Sequence, residues 1–306
     1  VGEHVGGYTA FSFDISAVVR TGLNDLTVRV EDANGGSQLR GKQVQEPRGI
    51  WYTPMSGIWQ SVWLEWLPEL YIERLDITTK DVKAGEIEVT PVLLNIGRLK
   101  SQADSFRVVA QVSDLASIVA TKEAHASLEE LRPLVSMTIP NPIPWEPDAP
   151  YLYNITLRLL DAVSGQLIDE VRSYTGLRVV GKVRDDQGHL RLTLNGHPVF
   201  HFGTLDQGYW PDGLLTPPSD DAMVYDLRFL KDAGFNLVRK HIKVEPRRYY
   251  YHCDQIGLLI WQDHVSGGTR DMWPQWTRLA QEPVDGFWSE SAHDQFMGEL
   301  EAMVAQ

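Results

Sequence analysis

Apolar and polar side chains alternate over much of the first 180 residues. The alternation is clear at residues 11–15, 26–31 and 62–66, and it returns in several segments between residues 87 and 174. A period of two places the apolar side chains on one face of a β-strand. The pattern therefore predicts a chain that is mainly β up to about residue 180.

Two blocks of strands are predicted within this region. Residues 1–68 hold too few strands for a complete sandwich, so we expect only the C-terminal part of one. Residues 69–182 hold strands at the regular spacing that is typical of an immunoglobulin-like β-sandwich. A proline cluster at residues 140–150 predicts a long loop within the second block.

The pattern changes in the last third of the chain, where strands and helices alternate. Short apolar strands are predicted at residues 198–205, 236–242 and 258–261, with one helix that begins after Ser219 and another that begins at Pro246. Serine is a good N-cap, and proline suits the first helical turn. Strand–helix alternation of this kind predicts parallel, buried strands.

These strand–helix units predict that residues 183–306 form the N-terminal part of a (β/α)8 barrel. A complete barrel takes about 250 residues, roughly twice the length of this segment, so we expect about three of the eight units. A last amphipathic helix is predicted at residues 290–305. The predicted fold class is therefore multidomain, β plus α/β, with domain limits at 1–68, 69–182 and 183–306.

The charge of the chain narrows the classes of partner. Lysine and arginine number 28 against 41 aspartates and glutamates, a net charge of −13. Such a chain repels nucleic acid and anionic lipid, and no apolar run approaches the roughly 18 residues of a membrane helix. We therefore expect no nucleic acid and no membrane as partners.

The cysteine and tryptophan residues are predicted to have structural roles. Cys253 is the single cysteine, which excludes an internal disulfide, and its place within a predicted helix indicates a small buried group. Aromatic faces stack on sugars but also fill cores. Core packing is the favoured interpretation for four of the tryptophans, which are Trp51, Trp59, Trp63 and Trp145.

Four local stretches of sequence, in a fixed order, resemble glycoside hydrolase family 2. They are Gly-Tyr at 7–8 with Phe-Ser-Phe-Asp-Ile at 11–15; Gly-Ile-Trp-Tyr at 49–52 with Ser-Gly-Ile-Trp-Gln at 56–60; Trp-Glu-Pro-Asp-Ala-Pro-Tyr-Leu-Tyr at 145–153; and Leu-Asn-Gly-His-Pro-Val-Phe at 194–200 with Gly-Phe-Asn-Leu-Val-Arg at 234–239. The resemblance implies a partial jelly-roll sugar-binding sandwich, an immunoglobulin-like sandwich and the start of a barrel. It also implies a carbohydrate substrate, no cofactor, and a β-galactosidase, β-glucuronidase or β-mannosidase type of activity.

The resemblance also says where the catalytic groups of the family stand. Retaining hydrolysis uses two carboxyl groups about 5 Å apart. In the family, a glutamate that follows an asparagine on the fourth barrel strand is the acid/base, and a glutamate on the seventh is the nucleophile. The chain contains no Asn-Glu pair and is expected to stop before a fourth strand. We therefore assign no catalytic residue and expect an inactive portion of a retaining enzyme; the alternative is a non-catalytic carbohydrate-binding or scaffold protein.

Part of a sugar pocket is predicted at the C-terminal ends of the barrel strands, where barrel enzymes place their sites. Carboxylates and histidine can hydrogen-bond sugar hydroxyls, and tryptophan can stack on the ring. The candidates for substrate binding are Asp206, Gln207 and Trp210 after the first strand, Arg239 and His241 after the second, and Asp263 after the third. For Arg239, an ion pair inside the barrel is an equal alternative, and for Trp210, packing within the loop is an equal alternative. A metal site at His241, Asp263 and His264 is the less favoured interpretation, so no metal is predicted.

We expect the isolated 306-residue chain to associate, because three barrel units would leave strand edges and apolar helix faces uncovered. A homo-oligomer is therefore among the expected partners. Light scattering of the purified chain measures this directly, and a monomeric species that does not aggregate would contradict the expectation.

Overall fold

A computed structural model describes residues 1–33, 35–36, 38–95, 105–115, 117–267 and 289–306. The chain divides into two compact units. The first comprises Val1–Val62, Gly203–Cys253 and Leu258–Gln306, and the second comprises Trp63–Phe202 and Asp254–Gly257.

The second unit is built mainly from two antiparallel sheets. Within the described part of the chain, their strands are β1 (Leu70–Asp81), β2 (Glu86–Asn95), β3 (Ser105–Asp114), β4 (Ser117–Ser127), β5 (Val135–Thr138), β6 (Tyr153–Asp161) and β7 (Leu167–Thr175). One sheet has the strand order β1-β2-β5 and the other the order β4-β3-β6-β7. The strands predicted between residues 87 and 174 are thus confirmed.

Both sheets turn their apolar face to one shared core. Val89 of β2 packs in the same buried cluster as Val108 of β3 and Ile155, Leu157 and Leu159 of β6. The three residues of β6 stand at every second position, so the pleat sends them all to the same face. The alternation in the sequence therefore specified this core correctly.

Trp145 anchors the proline-rich loop between β5 and β6. Its side chain is 0% exposed, and its indole Nε1–H donates to the Asp254 carbonyl at 2.8 Å. The Arg178 guanidinium lies 4.5 Å from the centre of the ring. At Gly176, an added Cβ would stand only 3.0 Å from the Trp145 side chain, so the ring packs directly on this glycine. The prediction that Trp145 is a core residue is confirmed.

A third, smaller sheet follows in the same unit. It consists of β8 (Val180–Arg184), β9 (Leu190–Leu194) and β10 (His197–Pro198), paired in the order β10-β9-β8. Asn195 and Gly196 connect β9 to β10 with φ values of 53° and 83°. Two positive φ values define a type I′ hairpin turn, for which Asn-Gly is the preferred pair.

The described residues of the first unit include three parallel strands and three helices. They are β11 (Gly203–Asp206), α1 (Asp220–Asp232), β12 (Leu237–Lys240), α2 (Arg247–Ile256), β13 (Leu259–Gln262) and α3 (Glu290–Ala305). The strands pair in the order β11-β12-β13 and are parallel, as predicted. The prediction that they are buried holds only for most of β12, because β11 and β13 are half-buried to exposed, and the first strand begins at Gly203 rather than at residue 198.

The helix limits follow the local signals in the sequence. The Ser219 hydroxyl caps α1 by accepting a hydrogen bond from the Ala222 N–H at 3.1 Å. Gly257 has φ 87° immediately after α2, which is the conformation that ends many helices. Cys253 is buried on α2, as expected.

The strands predicted in the first 68 residues are not formed. Among the described residues before Leu70 no strand is present, and the side chains of Leu26 and Trp66 are 75% and 91% exposed. Trp63 is also exposed, so its prediction as a core residue is wrong, whereas Trp51 and Trp59 are half-buried. Alternation selects the face of a strand, but the strand itself requires a hydrogen-bonded partner. These segments have no such partner in the described part of the chain.

The helices of the described residues include none with the length and apolar character needed to cross a membrane.

Replacement of Trp145 by phenylalanine is predicted to destabilise the chain by about 2 kcal/mol or more, because it leaves a buried carbonyl without its donor and opens space beside Gly176. Urea unfolding followed by circular dichroism measures the change. Trp66→Phe is the control, and at this exposed position the change should stay within about 0.5 kcal/mol. Equal effects of the two substitutions would refute the anchoring role.

Candidate functional site

The three parallel strands bring their C-terminal ends to one edge of the sheet. Asp206, Lys240 and Gln262 are paired neighbours at the ends of β11, β12 and β13. The register continues past the strands, because the His241 N–H donates to the Asp206 carbonyl at 2.8 Å and the Asp263 N–H donates to the Lys240 carbonyl at 3.0 Å. Side chains that are distant in sequence therefore meet at this edge.

An outer group at this edge is centred on Asp263. Its carboxylate accepts hydrogen bonds from Arg239 Nε at 3.0 Å and Arg239 Nη2 at 2.8 Å, and it lies 2.6 Å from His241 Nδ1. Burial opposes ionisation of Asp263, but the hydrogen bonds from Arg239 and His241 outweigh it and hold the pKa below its ordinary value. Three of the predicted site residues thus form one contact group. For Arg239, the ion pair that was the alternative interpretation is the contact observed.

An inner group lies behind Asp206 and is closed to solvent. Lys240 is 0% exposed, and its Nζ donates to Asp206 Oδ2 at 2.5 Å and to Glu245 Oε1 at 2.7 Å. The same ammonium lies 4.4 Å from the centre of the Tyr249 ring. A buried lysine of this kind requires compensating negative charge, and two carboxylates supply it.

A second buried lysine holds the loop that follows β11. Lys243 Nζ donates to the carbonyls of Gly208 at 2.6 Å and Leu215 at 2.7 Å, and it lies 2.9 Å from Glu245 Oε1. The sequence did not predict that Lys240, Lys243 and Glu245 would contact one another beside Asp206. The available signal was the run Lys-His-Ile-Lys-Val-Glu at 240–245, in which charges follow directly on a buried strand.

Asp206 and Lys240 stabilise each other's charge at the inner group. Burial opposes the charge of Asp206, but nearby Lys240 more than compensates and the pKa of Asp206 stays below its ordinary value. For Lys240, burial lowers the pKa, while Glu245 and Asp206 together raise it above the ordinary value. For Lys243, burial prevails over Glu245 and the pKa is lowered. Asp206 and Lys240 are therefore a charged pair at neutral pH.

A cavity of about 60 Å³ adjoins this network. Asp206 and Trp210, both predicted as sugar contacts, line it together with Asp226 of α1 and Tyr249 of α2. Burial, with a further contribution from Asp206, raises the pKa of Asp226. The cavity admits water or a group of a few atoms, and it is far smaller than the roughly 300 Å³ at which ligand pockets begin.

The loop after β11 carries two residues that were predicted to bind substrate, Gln207 and Trp210, and they differ in their surroundings. Trp210 is fixed by a pair of backbone hydrogen bonds with Leu214, at 2.7 and 3.0 Å, and it is one of the residues that line the cavity. Gln207 does not line the cavity, and its buried Oε1 has no hydrogen-bond partner among the described residues. The structure thus associates Trp210, but not Gln207, with Asp206.

Residues near the N-terminus form a wall of the same site. The Tyr52 ring stacks on Tyr209 with ring centres 3.9 Å apart, and the Trp59 carbonyl accepts a hydrogen bond from Thr216 Oγ1 at 2.7 Å. Lys243 Nζ lies 5.2 Å from the centre of the Trp59 ring. Trp59 therefore packs on the loop that carries Trp210.

The backbone beside the site is strained at Ile242, whose φ is 52°. A β-branched residue in the left-handed region is a true outlier, and such residues cluster at functional sites. Gly41 approaches the Ile242 carbonyl so closely that an added Cβ would stand 2.9 Å from its oxygen. This contact accounts for glycine at position 41.

Within the part of the chain that the structure describes, no group of three or more histidine, cysteine, aspartate or glutamate side chains is arranged to hold a metal ion.

The pKa of Asp263 leads to a prediction for stability against pH. Because the folded-state pKa lies below the ordinary value of 3.8, ionised Asp263 stabilises the fold above that pH, and the contribution is lost as the pH falls through the folded-state pKa. Asp263→Asn should therefore lower the melting temperature at pH 7, and the difference from the wild type should shrink below about pH 4. Melting curves from pH 7 to pH 3 test this, with the surface substitution Asp232→Asn as control. A difference that stays constant with pH would be the contrary result.

Comparisons with known proteins agree on one family. The sequence model described as "Glycosyl hydrolases family 2" matches residues 70–178. A protein of Formosa agariphila with the provisional name β-glucuronidase is 29% identical over 86% of this chain and 30% of its own length. A β-galactosidase of Thermoanaerobacter pseudethanolicus is 26% identical over 92% of this chain and 36% of its own length. The chain thus spans about a third of the length of these curated relatives.

Solved structures give the same result. The crystal structure of a glycosyl hydrolase family 2 member from Bacteroides cellulosilyticus superimposes with a TM-score of 0.67 and 27% identity, over 86% of this chain and 34% of that chain. The four sequence stretches, the family model that matches residues 70–178 and the similarity to this structure all point in one direction: the chain is similar to members of glycosyl hydrolases family 2.

Proposed function

We propose that this chain is part of a retaining glycoside hydrolase that acts on the O-glycosidic bonds of β-linked sugars. The observation that carries the proposal is that Asp206 and Trp210 lie together at the C-terminal end of a parallel strand, beside a small cavity with room for a single sugar hydroxyl but not for the ring. Barrel enzymes place their substrates at these ends. The enzyme assignment is supported by the similarity to the β-galactosidase from Thermoanaerobacter pseudethanolicus, which extends over 92% of the present chain.

The finer fold belongs to the same proposal. We interpret β11, β12 and β13 with α1 and α2 as the first units of a (β/α)8 barrel, residues 69–182 as an immunoglobulin-like sandwich, and residues 1–68 as the C-terminal part of a jelly-roll sandwich. The parallel register of the three strands supports the barrel. The two sheets with one core support the immunoglobulin-like sandwich.

Each site residue has a chemical role in this proposal. The Asp206 carboxylate accepts hydrogen bonds from sugar hydroxyls, and the Trp210 ring stacks on the C–H face of the sugar. His241 and Arg239, oriented by Asp263, offer donors at the rim of the site. Gln207 contributes only if its side chain turns towards the substrate. A hydroxyl-rich ligand requires this mixture of donors, acceptors and one aromatic face.

The two catalytic carboxyl groups are not among the residues named here. The chain has no Asn-Glu pair, and we assign none of its carboxylates to the acid/base or the nucleophile. The 306 residues alone are therefore expected to show no hydrolysis. A non-catalytic carbohydrate-binding protein is the second candidate, because the sugar contacts proposed here do not depend on the catalytic pair.

An activity assay separates the two candidates. The complete reading frame that contains this sequence is to be expressed and assayed with chromogenic β-galactoside, β-glucuronide, β-mannoside and β-glucoside substrates, and the product anomer identified by NMR. We expect hydrolysis of at least one substrate with retention, and none by the 306 residues alone. A folded protein that binds sugar but hydrolyses none of the four would favour the binding protein, and inversion would refute the retaining mechanism.

Trp210→Ala in the active protein is predicted to raise KM about three- to tenfold, because an aromatic contact contributes about 0.5–1.5 kcal/mol. Steady-state kinetics on the best substrate measures the change. Trp66→Ala is the matched control, since this tryptophan is exposed and lies in another part of the chain. An unchanged KM in Trp210→Ala would remove this residue from the sugar site.

A further inference from the structure

Glu245 joins two chains of contacts in the candidate site, the first arm through Lys240 and the second arm through Lys243, and it does so through one oxygen atom. It is 2% exposed, and its Oε1 lies 2.7 Å from Lys240 Nζ and 2.9 Å from Lys243 Nζ. Neither lysine has access to solvent. The carboxylate therefore holds two ammonium groups that would otherwise repel each other, and each ammonium leads to a different part of the site.

The first arm leads through Lys240 to Asp206. Lys240 Nζ donates to Asp206 Oδ2, and the Gly208 N–H donates to Asp206 Oδ1 at 2.7 Å. Each carboxylate oxygen of Asp206 thus accepts a hydrogen bond from a buried group, either the Lys240 ammonium or the Gly208 N–H. Because Lys240 itself is held by Glu245, the direction of the Asp206 carboxylate depends on Glu245. Glu245 does not reach the sheet edge that carries Asp206 and Asp263.

The second arm leads through Lys243 to the loop after β11. The Gly208 and Leu215 carbonyls that accept from Lys243 lie on either side of Trp210 in the sequence. Two hydrogen bonds to one ammonium therefore fix both ends of the segment that carries the aromatic ring. Lys243 in turn is held by Glu245.

The backbone of Glu245 is held by hydrogen bonds at both its N–H and its carbonyl, so this residue can act as a fixed point. Its N–H donates to the Tyr250 hydroxyl at 3.1 Å, and that hydroxyl donates to Gln262 Oε1 at 2.7 Å. Its carbonyl accepts from Gln306 Nε2 at 2.8 Å. These contacts join it to β13 and α2 independently of the two lysines.

We propose that Glu245 is the positioning residue of this site, and that through Lys240 and Lys243 it sets both the direction of the Asp206 carboxylate and the place of Trp210. The kinetic part of the test rests on the proposed function. The structural part, the place of Trp210, can be measured without any activity.

The substitutions Glu245→Gln and Lys243→Gln test the proposal, with Glu299→Gln as the matched control. Glu299 is also a buried glutamate of the first unit, but it lies on α3 and accepts a hydrogen bond from Gln295. All variants carry 5-fluorotryptophan, and the Trp210 signal in the 19F NMR spectrum is identified by its loss in Trp210→Phe. Lys243→Gln removes the second arm alone and serves if Glu245→Gln does not fold.

We expect the Trp210 signal to shift or broaden in Glu245→Gln and Lys243→Gln and to stay in place in Glu299→Gln. In the active protein, KM should rise at least tenfold in Glu245→Gln and less than twofold in Glu299→Gln. An unmoved Trp210 signal in folded Glu245→Gln and Lys243→Gln would overturn the inference. A shifted signal in a protein that hydrolyses no sugar would uphold the positioning role of Glu245 and reject the proposed function instead.

Discussion

The charge of one buried side chain determines the arrangement of the candidate site. Lys240 ends a buried strand and has no contact with water, so its ammonium is stable there only beside carboxylates. Asp206 and Glu245 supply them from β11 and from the segment before α2. The pairing fixes three backbone segments relative to one another, and the second lysine extends the same network to the loop that carries Trp210.

This arrangement separates the side chains that we propose to contact a ligand from those that hold them in place. The parallel register brings Asp206, His241 and Asp263 to one edge, and the buried charges lie behind that edge. Exposed polar groups can then be fixed in direction without being buried, which favours tight hydrogen bonding to a hydroxyl-rich ligand. A network of buried charges stabilises a fold less than an apolar core of equal size, so its presence here is better explained by the site than by stability.

The sequence predicted what depends on local periodicity and on strand ends. The alternation in β6, the cap at Ser219 and the strand–helix succession after residue 198 were all found as predicted. The pairing of Lys240 with two carboxylates could not be predicted, because it depends on which strands become neighbours. For the same reason the strands expected at residues 26–31 and 62–66 failed: their pattern is correct for a strand, but a pattern does not supply a partner strand.

A crystal structure of the complete protein with a bound monosaccharide product would show whether Asp206 and Trp210 contact a sugar. We expect a sugar hydroxyl within hydrogen-bonding distance of the Asp206 carboxylate and the sugar ring against Trp210, with Lys240 still paired to both Asp206 and Glu245. A sugar bound without contact to Asp206 or Trp210 would contradict this expectation.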